Sequence, residues 1–143
     1  MRGYYREFSH EGNFILIGRQ GALCGNINYA KGKFWATDYA VVTKPIREYE
    51  LIWFGELLRT MNLNQYSVAA AQPGLAVEAI NNLFVPYPPL KEQKAIARYI
   101  ETECDRIDAK IAKTKRIIEL QKEYRTALIS EAVTGKITVP QLS

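Results

Sequence analysis

The residues with most chemistry to offer lie in a glycine cluster, Gly18-Arg19-Gln20-Gly21-Ala22-Leu23-Cys24-Gly25. The cluster follows a predicted strand over 13–17, a position where phosphate-binding loops often sit. A Walker loop ends in Gly-Lys-Ser/Thr, and Gly25-Asn26 stands here instead; a dinucleotide loop opens a helix, and Ile27-Asn28-Tyr29 reads as strand. Nucleotide binding is therefore rejected. What remains is a tight strand-turn-strand corner, in which glycine adopts positive φ at little cost. Its tip carries Arg19, a forked donor, and Gln20, an amide, the side-chain types that hydrogen-bond guanine and adenine edges.

A second basic tip combines Lys31 and Lys33 with Phe34 and Trp35, two cations beside two aromatics. That composition suits phosphate contact backed by a stacking side chain, although Trp35 also fits a core and the lysines also fit a solvated turn. The formal net charge is +4, too small to identify nucleic acid by itself. Its location says more. Residues 1–47 hold seven Lys/Arg against three acidic residues, whereas 48–90 hold one Arg against four acidic residues.

Other chemistry is poorly supplied. His10, in a predicted loop, is the sole histidine, so histidine-based triads and multi-histidine zinc centres have no material to work with. Cys24 and Cys104 form no CxxC or metal spacing and are expected as reduced thiols in a cytoplasm. The Pro88-Pro89 step resembles the Asn/Asp-Pro-Pro-Tyr/Phe motif of adenine methyltransferases, but Tyr87 replaces the acceptor that would bind the target amine. No catalytic group and no metal site are expected. Neither a signal-peptide run nor a membrane-spanning segment is visible.

The elements that must hold these residues change period near residue 90. Strands are predicted over 13–17, 27–29 and 39–43, the last two joined by a Lys31-Gly32-Lys33 loop. An amphipathic helix over 47–61 places Tyr49, Ile52, Trp53, Leu57 and Met61 on one face and ends at Asn62 and Asn64. A short helix covers 76–81. Pro86, Pro88 and Pro89 then bar helix and leave an extended connector.

From 90 to about 132 neither Pro nor Gly occurs, and the composition suits one long helix. Steps of four and three from Ala97 run through Ile100, Cys104, Ile107, Ile111, Thr114, Ile118, Gln121, Arg125 and Leu128 to Ala132, a heptad seam with polar interruptions. A flanking stripe of Ile96, Tyr99, Ile117, Leu120 and Tyr124 implies two neighbours. Such a rod would be roughly 60 Å long, more than its own domain needs. Gly135 should stop it, with a short strand or tail after it.

Phe84-Val85-Pro86-Tyr87-Pro88-Pro89-Leu90-Lys91-Glu92-Gln93-Lys94-Ala95-Ile96-Ala97 and Ala127-Leu128-Ile129-Ser130-Glu131-Ala132-Val133-Thr134-Gly135-Lys136-Ile137 resemble the conserved helical region of type I restriction-modification specificity (S) subunits. Gly18-Arg19-Gln20-Gly21, Phe34-Trp35-Ala36-Thr37-Asp38 and Ala71-Gln72-Pro73-Gly74-Leu75 resemble the C-terminal part of a target recognition domain in that family. The resemblance implies an α+β chain: a partial, small mixed α/β DNA-binding domain over 1–89, lacking roughly its first third, then one coiled-coil-type helix over 90–134 and a tail over 135–143. It implies a non-catalytic subunit contacting duplex DNA through Arg19, Gln20, Lys31, Lys33, Trp35, Thr37 and Gln72. Ile96, Ile100, Ile107, Ile111, Ile118 and Leu128 would meet a partner helix. The expected partners are a methyltransferase (M) subunit carrying S-adenosylmethionine, a second specificity half or copy, and indirectly the restriction (R) subunit. An alternative is an assembly-only helical module that reads no DNA.

Overall fold

A computed structural model describes residues 7–67, 74–138 and 140. Its elements are α+β, as expected: a three-stranded antiparallel sheet, short helices and one long C-terminal helix. By contacts the chain divides into two compact units, Met1–Arg98 and Tyr99–Ser143.

In the first unit β1 (His10–Gly18) is central, with β2 (Ile27–Phe34) on one side and β3 (Ala40–Val42) on the other. Two expectations are corrected here. Lys31-Gly32-Lys33 is no loop but lies inside β2, and β2 and β3 do not pair with each other. The register explains the first point: Gly32 faces Gly12, while Lys33 faces Glu11 and Lys31 faces Asn13. A glycine normally invites a turn, but a facing glycine and an opposite-charge neighbour favour continued pairing. His10 likewise starts β1 rather than a loop, its ring stacked on Phe34 at 5.3 Å and set edge-on to Phe14 at 5.7 Å.

Strand alternation sends Ile15, Ile17 and Ile27 to one face, where they form a buried core with Cys24, Leu58, Leu63 and Leu75. Helix α1 (Leu51–Thr60) contributes to that core through Leu58, with Phe54 and Met61 half-buried against it. The helix is shorter than the predicted 47–61 because Glu50 caps it, accepting a hydrogen bond from the Trp53 amide at 2.6 Å. Asn62, at φ 48°, ends the run as expected. Helix α2 (Val77–Asn81) follows.

The proline connector is pinned through Tyr87. The Tyr87 hydroxyl donates to the Glu48 carbonyl, and the Tyr87 ring meets Trp53 edge-on at 6.0 Å. The first turns of α3 (Leu90–Val133) then bury Gln93 and Ala97. Gln93 is 0% exposed. Its carbonyl oxygen accepts from the Glu50 amide at 2.9 Å and its amide donates to the Pro88 carbonyl at 2.8 Å, so the side chain joins the starts of α1 and α3 without an unsatisfied atom.

The second unit is the remainder of α3 and its cap. Lys136 donates its amide to the Glu131 carbonyl and Gly135 to that of Ala132, with Gly135 at φ 69°, the pattern of a Schellman stop. Residues 136–138 form no strand.

Candidate functional site

The turn after β1 is built tightly. A Cβ on Gly18 would lie 1.9 Å from the Leu23 carbonyl oxygen, and one on Gly25 would lie 2.3 Å from the Asn64 nitrogen. Only glycine permits those approaches. Gly18 and Asn26 are joined by a 2.8 Å amide-to-carbonyl bond, and Gly25 donates back to Gly18 at 2.8 Å. The Arg19 amide donates to the Tyr39 carbonyl at 2.8 Å, and the Arg19 carbonyl accepts from Leu75 at 2.9 Å; Gln20 bridges Gly74. Two other chain segments, at Tyr39 and at Gly74–Leu75, therefore hold the Arg19-Gln20 backbone. Both side chains are exposed, and neither makes a hydrogen bond or ion pair with another described residue. This is a rigid support for a forked cation and an amide.

The second basic group lies elsewhere. Lys31 and Lys33 project from alternate positions of β2, hence from one face, and both are exposed. From the Glu11–Lys33 pair to Gly18, β1 advances seven residues, about 24 Å at 3.4 Å each. Lys33 is thus near the end of the β1–β2 ladder far from Arg19, and Lys31, opposite Asn13, lies near its middle. Lys33 Nζ sits 4.6 Å from the centroid of the exposed Phe8 ring, a cation–π contact. Trp35 is 50% exposed beside them, and the Ala36 amide donates to Ser9 Oγ at 2.9 Å. Thr37 is exposed in the turn that leads to β3, its carbonyl accepting from Ala40 at 3.0 Å.

Gln72 lies outside the described residues; Gly74, two positions on, is the partner of Gln20. Reasoning from sequence missed Phe8 and Tyr39. Phe8 carried no signal, while Tyr39, directly after Asp38, could have been found as an exposed aromatic flanking the Trp35–Asp38 motif.

Among the described residues no group of three or more His, Cys, Asp or Glu could hold a metal ion. Cys24 is buried, and burial pushes its thiol above the ordinary range. It is a packing residue.

In the second unit α3 shows a different surface. Ile107, Ile111 and Ile118, three of the proposed seam positions, are 48%, 44% and 48% exposed, and Leu128 and the flanking Ile117, Leu120 and Tyr124 are also exposed. Ile100 is half-buried, as is Ile96 in the first unit. The polar flanks carry i,i+3 ion pairs, Glu103 with Arg106 at 2.6 Å and Glu119 with Lys122 at 3.0 Å. A solvated helix has little reason to carry two apolar stripes.

The family model described as "Type I restriction modification DNA specificity domain" matches residues 2–122, from before β1 to deep within α3. The chain belongs to this type I specificity family. Among its relatives, the EcoprrI specificity subunit of Escherichia coli is 41% identical over 130 residues, covering 84% of this chain and 32% of that protein. The EcoBI specificity subunit of Escherichia coli is 33% identical over 81 residues, 57% of this chain and 17% of that protein. The EcoKI specificity subunit of Escherichia coli strain K12 is 39% identical over 54 residues, 38% of this chain and 12% of that protein. The chain spans a third or less of the length of these type I relatives. Among the described residues no helix is long and apolar enough to cross a membrane.

Proposed function

We propose that this chain is a DNA-reading and assembly module of a type I restriction-modification system: its first unit contacts duplex DNA and its long helix seats an adenine methyltransferase subunit. The observation that carries the reading is a family match that reaches from the first unit into the second, residues 2–122. Arg19 and Gln20 supply base-edge donors on a braced turn, and Lys31 and Lys33 supply phosphate contacts with Trp35 and Thr37 beside them. Two basic ends about 24 Å apart suit a duplex, whose phosphates recur along each strand every 3.4 Å or so.

Specificity subunits of type I systems are non-catalytic, and the relatives are named as specificity subunits. The module supplies address and no chemistry. S-adenosylmethionine belongs to the methyltransferase, the restriction subunit joins indirectly, and a second specificity half or copy packs along the helix. The complex works in the cytoplasm.

One observation favours a second reading. The exposed isoleucines of α3 are a stronger association signal than a net charge of +4 is a DNA signal, which suits an assembly-only module. Duplex affinity measured by fluorescence anisotropy over a salt series, with and without the methyltransferase, separates the two. DNA reading requires an affinity that falls steeply with salt, because phosphate contacts release counterions; assembly alone requires none.

A further inference from the structure

Beside the Arg19-Gln20 turn lies a cavity of about 310 Å³ lined by Gly25, Asn26, Ile27, Asn28, Arg59, Asn62 and Asn64. Its lining includes the start of β2, an edge strand of the sheet. Its walls are fixed. Gly25 is packed against the Leu63–Asn64 backbone, Asn62 is held in the left-handed region at φ 48°, and Arg59 is tied to Glu56 at 2.5 Å and to the Ile27 carbonyl at 3.2 Å. Asn26, Asn28, Asn62 and Asn64 are exposed, and none of their side chains bonds to another described residue.

We infer that this cleft is a second base-reading surface, one that recognises adenine edges in duplex DNA through the amides of Asn26 and Asn28, with Asn64 on the same lining. The inference rests on the DNA-reading role proposed above and goes further, assigning specificity to residues outside the Arg19-Gln20 tip. Its chemistry selects the ligand. A carboxamide offers a donor and an acceptor at the spacing of adenine N6 and N7. Phosphate would want cations, and the cleft's one arginine already has a carboxylate. A peptide would want an apolar anchor, and the lining's one apolar side chain, Ile27, is 6% exposed and committed to the core. Continuity with the turn supplies the placement, since Asn26 accepts the Gly18 amide at 2.8 Å, directly before Arg19.

The test is selection from a randomised duplex library by the full chain, wild type against Asn26→Ala, Asn28→Ala and Arg19→Ala. Asn28→Asp serves as a near-isosteric variant should an alanine variant melt early. The expected result is that Asn26→Ala or Asn28→Ala loses preference at an A·T position distinct from the one lost by Arg19→Ala. Affinity for the preferred duplex should fall about 5- to 150-fold, the equivalent of one bidentate base contact, with the salt slope unchanged. If Arg19→Ala shifts the preference and the asparagine variants do not, the cleft inference is overturned while DNA reading stands. Uniform weakening of all duplexes with a shallower salt slope would reassign the cleft to backbone contact and overturn base reading. Enrichment of no duplex by the wild-type chain would overturn both the inference and the role beneath it.

Discussion

The two units spend similar apolar residues in opposite ways. In the first, Ile15 and Ile17 are 0% and 1% exposed, closed in by residues from α1, the turn after β1 and the segment at Leu75. In the second, Ile107, Ile111 and Ile118 are nearly half exposed on a helix of 44 residues. A core isoleucine contributes its burial within the chain, roughly 1.5–3 kcal/mol; a seam isoleucine can contribute only when another surface arrives. The first unit is thus a fold sufficient to hold a site rigid. The second presents apolar stripes that its own unit leaves half exposed.

That contrast can be broken most sharply in the helix. Replacing Ile107 and Ile111 together with Asp should weaken association with the methyltransferase or a second copy on the order of 100-fold or more, since each aspartate would be desolvated in an apolar seam. The melting temperature of the first unit should stay unchanged. Light scattering and methyltransferase pull-down check the first part and calorimetry the second; an unaltered complex would show that α3 docks by another face. The reciprocal substitution, Ile17→Ala, should destabilise the first unit by about 2–5 kcal/mol through a core cavity, read as a lower denaturant midpoint.

Gln93→Ala should cost about 1–3 kcal/mol, because it strips the Glu50 amide and the Pro88 carbonyl of their buried partner. Chemical denaturation of the full chain measures it. Thiol labelling sharpens the comparison at smaller scale. Cys104, exposed in the second unit, should react quickly with an alkylating reagent, and Cys24, buried with its thiol pushed up by desolvation, slowly. Added methyltransferase or a second copy should slow Cys104, a seam residue, and leave Cys24 as it was. The smallest effect belongs to Arg106→Ala, which removes an exposed pair with Glu103 and should change stability by no more than about 0.5 kcal/mol.

The long helix was legible because its boundaries are chemical: Pro88-Pro89 before it, Gly135 after it, and a regular apolar spacing between. The braced turn was legible for a similar reason, as a glycine cluster between two strands admits few backbones. Lys31-Gly32-Lys33 misled because a turn signal is local, whereas the Gly12–Gly32 pairing that keeps it in β2 depends on register across two strands. Nothing local singles out Gln93 among the polar residues around it; its burial depends on Glu50, 43 positions away, being brought against it. The asparagine cleft is likewise assembled from β2 and the end of α1, so no single segment announces it. The separation of Arg19 from Lys31 and Lys33 also follows from strand pairing rather than from their shared basic stretch.

The most direct test of DNA reading is the salt dependence of duplex affinity in the assembled methyltransferase complex, compared between wild type, Arg19→Ala and Lys31→Ala. The account predicts that Arg19→Ala costs about 1–3 kcal/mol on the preferred site and relaxes one position. Lys31→Ala should weaken every duplex alike and lower the salt slope by roughly one unit. Unaltered affinity, slope and preference in both variants would contradict it and leave assembly as the function of the chain.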